Sequence, residues 1–262
     1  MFALEKIAAL HFYPFLEYED QIKCLNSDLL FKKVFQNKRG EETLRKRDSF
    51  LKWSDEKSNQ IITIFDANYP PLLKEIDNPP LLLTVIGQPL TLQNSLTVVG
   101  TTTPSLKSLK ASTNFVKECS EAKIVVLSDF LKGIGSNVQL STLKEGGTSW
   151  AVLGCGLKFL TKLHRKTVLS FLMQGGSFVS TFHPDSGPNK INFYLSKRIL
   201  SGIGKLTLLF EAELNSCAMN VASFTLDQGK DVFIHSSALT SFGPHALVEQ
   251  GAETISSLSQ LL

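Results

Sequence analysis

From Leu96 onward one pattern recurs along the chain. A short apolar, mostly β-branched run gives way to a Gly-, Ser- or Thr-bearing stretch, and an amphipathic segment follows. LTVVG-TTTPS, KIVVLS-DFLKGIGSN, WAVLG-CGLK, SFVST-FHPDSGPNK and KLTLLFEA-ELNS all have this form. Uninterrupted apolar runs alternating with helical stretches predict parallel strands buried on both faces. Strands are expected near 96–100, 123–128, 149–154, 177–181, 205–211 and 231–235. Helices are expected near 105–121, 136–145, 157–174, 190–201, 216–228 and 243–250. Right-handed crossovers place such helices on the two faces of the sheet, so the predicted fold is α/β: a doubly wound, mostly parallel, Rossmann-like sheet. Ligands bind such sheets at the carboxyl ends of the strands, where this chain gathers hydroxyls, glycines and lysines.

Residues 1–59 lack the strand–loop alternation and mix apolar residues at helical spacing with charge, as in LLFKKVF. They predict a small N-terminal helical domain, leaving 60–262 as the α/β domain. Lys38, Arg39, Arg45, Lys46 and Arg47 form a basic cluster interrupted by Glu41 and Glu42, which reads more readily as a solvated helix face than as a phosphate contact. The segment IITIFDANYPPLLKEIDNPPLLLTVIGQP predicts a strand, a turn, a short helix and an extended run. Pro70, Pro71, Pro79 and Pro80 fix φ there and make it an ordered connector.

With 43% hydrophobic and 19% charged residues over 262 positions, the composition is that of a globular protein rather than a disordered one. No apolar stretch reaches the roughly 20 residues a membrane helix needs, and Glu5 and Lys6 stand where a signal peptide would be apolar. A cytoplasmic location without membrane association is expected. Cys24, Cys119, Cys155 and Cys217 lie far apart, which predicts buried, reduced thiols and neither a metal site nor a disulfide framework. A net charge of +3 permits an anionic partner without the strongly basic signature of a dedicated nucleic-acid binder.

Three loops carry candidate chemistry. VVGTTTPS offers Gly100, Thr101, Thr102 and Thr103 at a strand-to-helix junction, where hydroxyls and free amides can hold a phosphate and where an ordinary turn also fits. SDFLKGIGSN offers Ser128, Lys132 and Gly133, with Asp129 beside them as a carboxylate able to cancel the lysine. GPNKINFYLSKRILSG interleaves Lys190, Lys197 and Arg198 with Phe193 and Tyr194, a mixture suited to single-stranded nucleic acid, whose bases stack on rings. His164, His183, His235 and His245 are scattered and support no catalytic or metal site. Glu211 is the best-placed carboxylate, with a general base and a helix-capping anion both open to it.

The order of these motifs resembles the DNA-processing protein A family (DprA, also called Smf) from about Ile62 to Ala252. FDANYPPLLKEIDNPPLLLTVIGQ is similar to its opening segment, and VVGTTTPS stands where the family has Val-Gly-Ser-Arg. VVLSDFLKGIGSNVQL stands at Val-Ser-Gly-x-Ala-x-Gly-Ile-Asp-x-x-Ala-His, and GGTSWAVLGCGL at Gly-x-Thr-x-x-Val-Leu-Gly-x-Gly-Leu. NFYLSKRILSGI stands at Phe-Pro-x-Arg-Asn-Arg-Ile-Ile-x-Gly-Leu. The resemblance implies an extended Rossmann-like domain over 60–262 that binds single-stranded DNA and loads RecA recombinase in recombination and natural transformation, as a homodimer with no cofactor. The departures are Thr102 for the motif arginine, Asp129 for Gly, Gly135 for Asp, Gln139 for His, and Tyr194, Ser196 and Lys197 for Pro, Arg and Asn.

The expected function is therefore a non-enzymatic binder of single-stranded DNA. Its site would comprise Gly100, Thr101, Thr102, Ser128, Lys132, Gly133, Lys190, Asn192, Phe193, Lys197 and Arg198. Two alternatives are a nucleotide-processing enzyme with Glu211 as base, and a protein-binding scaffold whose DNA pocket has eroded.

Overall fold

A computed structural model describes residues 2–55, 60–89, 94–163 and 165–261. Four helices open the chain: α1 (Leu4–His11), α2 (Tyr18–Asn26), α3 (Asp28–Phe35) and α4 (Lys38–Ser54). The connector supplies β1 (Gln60–Thr63), α5 (Pro71–Lys74) and β2 (Leu82–Ile86). The alternating region follows with β3 (Ser95–Val99), α6 (Leu106–Glu121), β4 (Val125–Ser128), α7 (Ile134–Lys144), β5 (Ser149–Val152), α8 (Leu157–Leu163) and α9 (Arg165–Met173). It continues through β6 (Ser177–Ser180), α10 (Lys190–Ile203), β7 (Leu206–Leu209), α11 (Cys217–Asp227), β8 (Val232–His235), α12 (Phe242–Glu249) and β9 (Glu253–Ile255). The six strands expected from the apolar runs are present. His164 lies outside the described residues, between α8 and α9.

The nine strands of the described residues join one sheet in the order β1-β2-β6-β5-β4-β3-β7-β8-β9. β2 runs antiparallel to both β1 and β6, and the remaining pairs are parallel. The three strands the apolar pattern did not number, β1, β2 and β9, sit at the sheet's margins. The chain builds outward from β3 through β4, β5 and β6, then returns to place β7 on the other side of β3. That reversal is the topological switch point, and it brings the loops after β3 and β7 together.

Alternate residues of the central strands serve two cores, which is why these runs are apolar throughout. Leu96, Val98, Val126, Leu208 and Phe210 pack with Phe115 and Val116 of α6 and Val138 of α7. Val99, Val125, Leu127 and Leu209 face the opposite way, into the cluster containing Leu200 of α10 and Val221 of α11. Ile7 to Leu10 of α1 and Phe50 of α4 belong to that same cluster, alongside Leu82 and Leu83 of β2.

Cys24, Cys119 and Cys155 are buried and free, whereas Cys217 is exposed at the first turn of α11 and departs from the expectation of buried thiols. Among the described residues no helix is long and apolar enough to cross a membrane.

Candidate nucleic-acid interface

The loops after β3 and β4 interlock at the carboxyl edge. The Ile134 amide donates to the Thr101 carbonyl at 3.1 Å. Gly133 adopts φ 93° and ψ −132°, open to glycine alone, and a Cβ there would stand 2.3 Å from the Thr101 oxygen. The glycines of the two motifs therefore fix one loop against the other.

The helix N-terminus at this junction is already filled. Glu211, in the loop just after β7, accepts from the Ser105 amide at 2.7 Å and from the Ser105 hydroxyl, so its carboxylate sits at the start of α6. Anions favour that position because the first-turn amides and the helix dipole point to it. Of the two roles open to Glu211, the geometry shows the capping one. The Thr101 amide is spent on the Glu211 carbonyl, and the Thr103 amide on the Thr101 hydroxyl at 3.2 Å. A phosphate cradled by these amides, as expected for Gly100, Thr101 and Thr103, would compete with bonds already made and meet a carboxylate.

Cationic space opens one step away, between α6 and α7. A groove of about 580 Å³ is lined by Thr102, Lys132, Gly133, Ser136, Ser141 and Lys144, among others, and among the described residues no carboxylate lines it. Thr102, Lys132 and Lys144 are exposed, and neither lysine has an ion-pair partner among the described residues.

Asp129 leaves Lys132 uncancelled because it pairs elsewhere. Its Oδ2 accepts from Lys197 Nζ at 2.7 Å, and the Lys197 side chain is only 1% exposed. Lys197 is therefore a buried counter-ion and is corrected from a phosphate contact. Ser128 is likewise fully buried, its hydroxyl donating to the Val98 carbonyl at 2.7 Å.

Along α10 the remaining residues point to different surroundings. Lys190 is exposed at the helix start and unpaired among the described residues. Asn192 donates to Ser186 Oγ and the Gly187 carbonyl, both at 3.1 Å, and so ties down the loop before the helix. Phe193 is partly buried against Gly154 in the β5 loop, while Tyr194 is exposed and packs on Phe224 at 4.9 Å. Arg198 turns away from the groove: its guanidinium donates to the carbonyls of Asp77 and Asn78, and burial lowers its pKa against the pull of Asp77. It clamps the connector and is corrected from the phosphate-binding set.

Of the expected residues, Thr102, Lys132 and Gly133 thus share the groove, and Lys190 stands exposed at the start of α10. The sequence reading missed Ser136, Asn137, Ser141 and Lys144. Their signal was the helical spacing of small and polar positions at 136, 137, 141 and 144, opposite the buried positions 134, 138 and 142. His183 serves structure, with Nε2 3.1 Å from the Lys46 carbonyl. His235 stacks on Phe210 at 4.5 Å, and burial lowers the pKa of both histidines.

Fold and site together define an α/β protein of the doubly wound class with a cationic groove beside its switch point. The model of the DNA recombination-mediator protein A family matches residues 60–262, and the chain belongs to that family. It is 31% identical over 220 residues to Protein Smf of Escherichia coli K12, covering 82% of this chain and 59% of the relative. It is 29% identical over 204 residues to DNA processing protein DprA of Streptococcus pneumoniae R6, covering 76% and 72%. The chain spans less than two thirds of the two Smf relatives from Escherichia coli and Synechocystis, 59% and 56% of their lengths. The X-ray structure of the Streptococcus pneumoniae protein superposes over 100% of this chain and 98% of its own, with a TM-score of 0.80 at 22% identity. DNA processing protein A from Helicobacter pylori, described for its single-stranded DNA binding mode, gives 0.68 at 22% identity over 77% and 94%.

Proposed function

We propose that this chain binds single-stranded DNA without catalysing a reaction on it, taking phosphates at Lys132 and Lys190. The observation that carries this reading is the acid-free groove beside Thr102, with Lys132 unpaired at its rim because Asp129 is held by Lys197. Phosphate contacts through lysines are independent of sequence and strongly salt-dependent. The occupied carboxylate of Glu211 speaks against the enzymatic alternative, since both oxygens are held by Ser105. Family membership and the DNA-processing relatives support the reading. On the same ground we extend it to RecA loading, a homodimer, a cytoplasmic location, and 1–59 as a domain appended to the DNA-binding unit.

The test is fluorescence anisotropy of a labelled single-stranded oligonucleotide at two salt concentrations, with duplex of equal length as control. The expected result is salt-sensitive preference for the single strand, with Lys132→Ala and Lys190→Ala each flattening the logarithmic salt slope by about 0.7. No binding at low salt overturns the proposal and leaves the scaffold alternative.

A further inference from the structure

The groove continues well past Lys132. One face of α7, at positions 133, 136, 137, 140, 141 and 144, lines it from end to end, a run of about 16 Å. The wall is fixed in place: Asn137 Nδ2 donates to Ser112 Oγ at 3.0 Å and Thr113 Oγ1 at 3.1 Å, pinning α7 to α6. Hydroxyls of Ser136 and Ser141 line the middle, Leu109 and Leu140 supply an apolar side, and Lys144 stands exposed at the far end. Lys110 and Lys117 are also exposed on α6, one helical heptad apart. Glu145 is next to Lys144 in sequence but does not line the groove.

A cation at each end, hydroxyls between and no carboxylate on the walls suit a polyanion rather than a single anion. A lone phosphate would be held by one lysine and leave the other unused. Among the described residues the lining also contains no aromatic ring, and so none of the platforms on which bases stack. It fits the sugar–phosphate backbone of a strand whose bases face outward.

We infer that the α6–α7 groove is a second lane for single-stranded DNA, leading from Lys132 to a distal phosphate contact at Lys144. The inference rests on the single-stranded DNA reading above and adds a direction and a residue to it. Binding through this lane is indifferent to base sequence and requires a strand long enough to pass beyond Lys132.

The test uses the full chain with labelled oligothymidylates of about two and about twenty nucleotides, the first too short to reach from Lys132 to Lys144 and the second longer than the roughly 4–16 nucleotides of a single-strand site. Lys144→Ala is expected to weaken the longer strand and lower its salt slope by about 0.7, leaving the shorter strand unchanged. Ser141→Asp, which sets a negative charge midway, is expected to weaken the longer strand further. If both variants bind the longer strand as wild type does while Lys132→Ala weakens it, the lane is overturned and the edge site stands. Equal weakening of both lengths overturns the lane as a separate extension. Failure of the wild-type chain to bind either length overturns both readings.

Discussion

Asp129 and Lys197 form an ion pair at 2.7 Å between the loop after β4 and the middle of α10, with side-chain exposures of 11% and 1%. Both positions depart from the family motif that the sequence resembles, which has Gly and Asn there, and Gly135 departs with them by standing for Asp. A Cβ on Gly135 would lie 2.4 Å from Asp129 Oδ1, so the Asp129 carboxylate fills the space that a side chain at 135 would enter. The three departures read as one exchange. Relative to that motif the carboxylate stands on the other side of the loop, at Asp129, where Lys197 neutralises it.

This exchange predicts asymmetric costs. Asp129→Asn strands an ammonium with almost no access to water, a loss of about 3–5 kcal/mol. Lys197→Met costs less, because Asp129 keeps its bond from the Leu131 amide at 3.2 Å and touches solvent. Urea denaturation of both single variants and the double variant measures the coupling. The double Asp129→Gly, Gly135→Asp variant is expected to recover much of the stability lost in Asp129→Gly alone. Removing both charges together, in Asp129→Asn with Lys197→Met, should leave the salt slope of DNA binding unchanged, and a flatter slope would return Lys197 to the phosphate contacts.

Gly133→Ala tests the interlocked loops. Its φ of 93° is strained for any side chain, and the added Cβ would meet the Thr101 oxygen and Thr102 Cα, both main-chain atoms that belong to the site. Backbone strain alone costs about 1–3 kcal/mol. The variant should show a lower urea midpoint together with weaker oligonucleotide binding, because relief of the clash displaces Thr102 and Lys132 relative to one another.

Much of this architecture was legible in the sequence, because doubly buried parallel strands leave apolar runs that need no partner to be read. The margins were harder: β9 has two exposed residues of three, and β2 follows Pro79–Pro80 in antiparallel pairing that no local signal specifies. The site was legible as loops but not as partnerships. Lys197 and Arg198 are adjacent cations in a basic motif, yet one is turned inward to Asp129 and the other toward Asp77 and Asn78. Helix rotation sends neighbours about 100° apart, and only the packing around α10 decides which meets solvent.

Acid should destabilise the seat of α1. Nε2 of His11 bonds the Thr181 carbonyl at 2.7 Å, which requires the proton on that nitrogen, and desolvation brings the His11 pKa down to about 4 despite the Thr181 bond. The folded state therefore takes up its proton at lower pH than the unfolded chain, whose histidine titrates near 6.5. The contribution is intact above about pH 6.5 and is lost as pH falls from there toward 4. His11 is partly exposed, so the loss is at most about 3 kcal/mol. Unfolding midpoints at several pH values should decline across this window, and His11→Asn should reduce the decline. His183 and His235, also lowered by burial, keep the same sign in what remains.

Thr102 offers a gain-of-function test of the groove. It stands where the resembled motif has arginine, it is exposed, and it lines the same wall as Lys132. An arginine fork there would meet phosphate bidentately, and no carboxylate of the lining would divert it. Thr102→Arg is thus expected to tighten single-stranded DNA binding and steepen the salt slope by about 0.7, with little change in stability because the side chain enters solvent. Thr102→Asp should do the reverse by opposing Lys132 at close range. Titration of both variants against wild type with one oligonucleotide at matched salt decides the matter. If arginine leaves affinity and slope unchanged while aspartate also has no effect, the strand does not pass Thr102, and the phosphates must be sought beside Lys190.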